Sequence, residues 1–112
     1  MIRHCVFVKF RGDVSAGERA GIYAGLGALV GQIEGLLSVD FGPNISPEGR
    51  SQGFNDGFIM DFADEAARDR YLPHPAHKAA GARLVAALEG GREGLIVFDL
   101  DLGEQPVTVP KT

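Results

Sequence analysis

Between Ile2 and Phe10 the positions Ile2, His4, Val6, Val8 and Phe10 share one parity and Arg3, Cys5, Phe7 and Lys9 the other, the period of a β-strand. The period then changes. Ser15 with Glu18 three residues on reads as a capping box, and Ile22, Leu26, Leu29, Val30 and Ile33 follow on one helical stripe, which predicts a first helix ending near Gly35. The segment LLSVDFGPNI reads as a second strand, and SPEGRSQG as an exposed turn. Phe54, Asp56, Phe58, Met60 and Phe62 alternate with smaller or polar residues to give a third strand. DEAARDRYL is a helix that stops before Pro73, because the residue preceding proline is pushed out of helical geometry. HPAHKAAGARLVAALEGG resumes helix with Pro75 at its first position and Ala80, Leu84 and Leu88 facing inward, until Gly90 and Gly91 end it. GLIVFDLDL is the fourth strand.

The order β, α, β, β, α, β predicts an α+β subunit of the ferredoxin-like kind, a four-stranded antiparallel sheet with its helices on one face. Its domain is expected over residues 1–103, with 104–112 an extended tail whose two prolines bar it from a central strand. The bare face of the sheet would carry Cys5, Phe7 and Ile59, and the last strand is apolar on both parities. A face of that kind left in water would be a large apolar patch, so a homodimer packed sheet on sheet is expected.

Composition narrows the partners. In 112 residues the formal charge is −4, which gives no counter-charge to a phosphate backbone, so nucleic acid is not an expected partner. No apolar run is long enough to cross a bilayer, no membrane role is expected, and the N-terminal residues lack the pattern of a secretory signal. With Cys5 the one cysteine, a reducing cytoplasm is the expected location.

Two of the three histidines fall in four residues, within YLPHPAHKAAG. The glycines of GLGALVG lie inside a periodic helical segment rather than in a strand-to-helix turn, which sets aside a nucleotide-binding reading. His77 would sit in the first turn of its helix, where the helix dipole disfavours an imidazolium and keeps the ring a neutral acceptor. Tyr71 ends the preceding helix and supplies a phenol, and His4 enters from the apolar parity of the first strand. These three are the expected catalytic residues, and His74, Asp56 and Phe58 the expected ligand contacts. Each also has a structural reading: His74 as a helix cap, Tyr71 and His4 as satisfied core groups, Asp56 as a carboxylate at the sheet edge. No metal site and no cofactor are expected, since His74 and His77 would need further ligands.

The strand IRHCVFVKF, the segment GFNDGFIMDFADEAARDRY and the signature YLPHPAHK together resemble the stress-responsive dimeric α/β-barrel (Dabb) family over residues 2 to 101. The resemblance implies a ferredoxin-like subunit whose sheet pairs with that of a second copy. The family includes a plant polyketide cyclase that closes its substrate by aldol chemistry. Its tyrosine and histidine match Tyr71 and His77, and a further pocket histidine matches His4. Another pocket histidine of that cyclase aligns with Asp56. The expected function is a homodimer binding a small hydrophobic or carbonyl-bearing ligand between sheet and helices. The alternatives are cofactor-independent His/Tyr acid–base catalysis, and a haem-binding protein or cofactor-free oxygenase.

Overall fold

The structure, a computed structural model, describes residues 1–103; the expected tail lies outside them. Strands β1 (Ile2–Val8), β2 (Leu36–Pro43), β3 (Asp56–Phe62) and β4 (Leu95–Asp101) form one sheet in the order β2–β3–β1–β4, every neighbouring pair antiparallel. Helices α1 (Ala16–Gly27), α2 (Glu65–Tyr71) and α3 (Pro75–Ala86) complete the ferredoxin-like fold, with a short 3-10 turn, Gly91–Gly94, leading into β4.

The alternation of β1 and β3 divides the sheet into two faces. Ile2, Val6, Val8, Phe58, Met60 and Phe62 are buried with Ile22 and Leu26 of α1 and Leu84 of α3. On the other face Arg3, Cys5 and Phe7 pair directly with Asp61, Ile59 and Gly57 on one side and with Leu100, Phe98 and Ile96 on the other. Directly paired residues share a face, so this surface is apolar around one ion pair, Arg3 to Asp61 at 2.9 Å. Phe7, Ile96, Phe98 and Leu100 are exposed there, and the rings of Phe7 and Phe98 lie 5.7 Å apart.

The first helix is shorter than its periodicity predicts. Ser15 caps it by accepting from the Glu18 N–H at 3.1 Å, but it ends at Gly27 rather than near Gly35. Gly25 and Gly27 weaken the last turn, and Gly31 takes φ of 90°, a left-handed conformation no helix continues through. Leu29 and Ile33 still reach the core, carried by turns, whereas Val30 is exposed. Gly35, the residue before β2, has φ of 87°, and a Cβ there would collide with the Ala67 Cβ, so the chain entering β2 touches α2 through a missing side chain.

Two strand limits also shift. The first strand stops at Val8, Phe10 making only an isolated bridge to Leu88, and the third begins at Asp56 rather than Phe54. The Phe54 ring instead receives the Lys9 ammonium 4.6 Å from its centre. No helix among the described residues is long and apolar enough to cross a membrane.

Candidate functional site

The two helix ends in YLPHPAHK meet. Asp64 caps α2 and Tyr71 closes it, the Leu72 N–H still donating to the Arg68 carbonyl. Pro73 ends the helix, the His74 N–H donates to the Tyr71 carbonyl at 3.1 Å, and Pro75 opens α3. The reversal is tight enough that the His77 imidazole lies on the Tyr71 ring, centroids 3.8 Å apart and planes inclined by 31°.

His77 Nδ1 sits 3.1 Å from the Leu72 carbonyl oxygen. A carbonyl only accepts, so Nδ1 carries the hydrogen and Nε2 keeps its lone pair. Burial lowers the pKa of this imidazole below its ordinary value of 6.5, overcoming the opposing hydrogen bond to Leu72. The ring is therefore a neutral acceptor, with desolvation as the largest cause.

His4 approaches from β1, 6% exposed. Its Nδ1 lies 2.7 Å from Asp99 Oδ1 on the paired position of β4, and Asp99 Oδ2 accepts from Arg68 of α2 at 2.8 Å. Burial pushes the Asp99 carboxyl up, but the hydrogen bonds from Arg68 and His4 outweigh it and hold the group below the usual carboxylate range. An ionised carboxylate has no hydrogen to give, so His4 donates through Nδ1.

Tyr71 stands between the two imidazoles, 2% exposed, with His4 edge-on at 5.6 Å and Phe62 at 5.1 Å. Burial, aided by the negative charge of Asp99, holds its phenol well above the ordinary value, so it remains a hydroxyl that can donate. The Tyr71 ring is thus flanked by two imidazoles, and the Nε2 of His77 keeps its lone pair.

His4, Tyr71 and His77 line a cavity of about 820 Å³ between sheet and helices. Val6, Leu26, Phe58 and Leu84 give it an apolar interior, and Val97 and Val85 face it from β4 and α3. Gly81, one turn beyond His77, leaves space beside the imidazole: a Cβ there would lie 3.7 Å from Nε2. A volume of this size and an apolar wall with a few convergent polar groups are the features of a small-molecule site.

The other expected contacts lie elsewhere. His74 is outside the cavity and caps α3, its Nδ1 accepting from the Ala76 N–H at 3.1 Å. Asp56 does not join the histidines; it lines a second hollow of about 520 Å³ with Phe7, Ile59, Ile96 and Arg50, where Phe58 alone of the expected residues lines both. Asp56 also faces Tyr23, whose buried hydroxyl has no partner and whose pKa burial and that negative charge push up to about 12. No cluster of three metal-ligating side chains occurs among the described residues.

Asp99 and Arg68 escape a reading of the sequence. The signal was a carboxylate on the parity of Leu95 and Val97 in the last strand, but only the register of β1 with β4 sets it opposite His4.

The Stress responsive A/B Barrel Domain family model matches residues 2–102. A stress-response A/B barrel domain-containing protein of Arabidopsis thaliana is 32% identical over 88 residues, 78% of this chain and 77% of that protein. Among solved structures, a dimeric ferredoxin-like protein of unknown function from Jannaschia is 34% identical with a TM-score of 0.82, over 89% of this chain and 97% of that one. A hydroxynitrile lyase from Passiflora edulis, at 22% identity and a TM-score of 0.80 over 97% and 96% of the two chains, shares the fold. The chain belongs to the stress-responsive A/B barrel domain family.

Proposed function

We propose that this protein is a homodimer whose cavity binds a small, largely apolar molecule carrying a carbonyl or hydroxyl oxygen. The observation that carries the reading is the Tyr71 ring flanked by the imidazoles of His4 and His77, with the His77 Nε2 left to accept, in the lining of a largely apolar cavity. Tyr71 would donate to the ligand oxygen, and an imidazole would accept from a ligand hydroxyl. The second copy would cover the exposed face of Phe7, Ile96, Phe98 and Leu100, as the dimeric state of the Jannaschia relative supports. His74 would serve this site only by starting α3, and Asp56 would act, if on a ligand, in the separate hollow.

The fixed tautomers favour a second step, proton transfer on the bound molecule. His77 Nε2 would take a proton from the carbon next to a carbonyl. The released electron pair would move into the carbon–carbon bond while the carbonyl oxygen gains charge as an enolate, stabilised by the Tyr71 hydroxyl. Returning the proton to carbon completes an exchange that needs no cofactor.

Acetylacetone in heavy water tests both parts. Shifts in the ring signals of His4, Tyr71 and His77 on titration support the site, and their absence sinks it. Exchange of the ligand's carbon-bound hydrogens faster than with His77→Ala supports proton transfer. Equal rates leave a binding protein without turnover.

A further inference from the structure

The charged side chains that line the cavity are of one sign. In the β1–β4 register His4 pairs with Asp99 and Val8 with Leu95, so the level of Leu95 lies four residues, about 13 Å, from the level of His4. Arg92, in the turn just before Leu95, also lines the cavity, as do Val6, Phe58, Leu84 and Val97. The chain carries a net charge of −4, yet among the described residues no Asp or Glu lines this cavity, whereas Lys78 and Arg92 do. None of the ion pairs among the described residues engages Arg92, so its guanidinium is unspent.

We propose that the ligand of this cavity is an elongated amphiphile with an anionic group, a carboxylate or a phosphate, held by Arg92 at the end remote from His77. The proposal rests on the cavity being the binding site. An arginine suits either anion because its planar donors match two oxygens at once. The remote position is chemically apt. A permanent anion beside His77 would oppose the negative charge of an enolate forming there, whereas an anion about 13 Å away anchors the molecule and leaves the reactive end free. Lys78, adjacent to His77, adds positive charge at the enolate end rather than at the anchor.

Octanoate, octyl phosphate and the neutral octanamide are the probes, titrated by NMR against the intact protein. Either anion is expected to bind roughly five- to tenfold more tightly than octanamide, moving the backbone signals of residues 92–94 and the ring signals of His77 together. Which anion binds more tightly identifies the headgroup. Arg92→Gln should abolish the preference, bringing both anions to the affinity that variant shows for octanamide, and Lys78→Gln should retain most of it. Both positions are exposed, and unchanged amide spectra confirm folding. Equal binding of anions and amide at the His77 end overturns the anionic ligand and keeps the cavity as a site, as does a preference that survives Arg92→Gln. No shift of any lining residue with any probe overturns both.

Discussion

The His77 imidazole rests on the Tyr71 ring at 3.8 Å, and the same imidazole donates back to the Leu72 carbonyl, so the two residues form one unit at the junction of α2 and α3. Their protonation states are complementary: the phenol keeps its hydrogen and the imidazole Nε2 lacks one.

The pH dependence follows from the lowered His77 pKa. The neutral ring is the acceptor, so activity that uses it is complete above 6.5 and falls only as pH drops through its lower folded value. Stability has the same sign. The unfolded chain takes up the proton first, so the contribution of neutral His77 is full above 6.5 and declines below it. An NMR titration of the ring signals should give a midpoint below 6.5; a midpoint above it contradicts the burial argument.

Gly81 sets stability against access. A glycine inside a helix costs about 0.5–1 kcal/mol relative to alanine, and a Cβ at this position makes ordinary contact with His77 Nε2 at 3.7 Å. Gly81→Ala should raise the melting temperature while weakening the acetylacetone-induced shift at His77. Gain in stability with binding intact would show that ligands reach Nε2 from another side.

Asp99 governs the orientation of His4. In Asp99→Ala the buried Nδ1–H loses its acceptor, at a cost of about 1–3 kcal/mol, and the tautomer is no longer held. Imidazole nitrogen shifts should report the change, and Asp99→Asn, which keeps one acceptor oxygen, should restore the wild-type tautomer. Because the folded carboxyl lies below its ordinary 3.8, its stabilising effect is present above that value and disappears as pH falls through the lower folded one. Urea unfolding of wild type and Asp99→Ala should therefore converge in strong acid.

Gly35 is constrained twice, by its positive φ and by Ala67. Gly35→Ala should destabilise the protein by about 2–4 kcal/mol. Adding Ala67→Gly removes the contact and leaves the backbone strain, so the double variant should be less destabilised than the sum of the singles. Strict additivity in denaturant midpoints would mean that Gly35 and Ala67 do not press together there.

The outer face of the sheet gives a test of assembly. Phe98→Asp places a charge among Phe7, Ile96 and Leu100 and should weaken self-association by about tenfold or more, read by light scattering across a dilution series. An unchanged mass would exclude this face as the contact.

Alternation in β1 and β3, the cap at Ser15, and the prolines around His74 follow from local rules, and so they determine the elements and their order from the sequence alone. The signature around Tyr71 and His77 is local too, because a helix end, a proline and a helix start lie within seven residues. Local rules miss the early end of α1, where Leu29 and Ile33 keep helical spacing yet reach the core through turns around Gly31. They leave His74 open between helix cap and ligand contact, which the packed chain decides: His74 Nδ1 accepts from the Ala76 N–H, while His77 Nδ1 meets the Leu72 carbonyl. Above all, strand register and helix docking bring Asp99 and Arg68 to His4 and bring Arg92 into the wall of the same cavity. Those relationships join residues 31 to 95 positions apart, or walls of a shared space, and only the packed chain decides them.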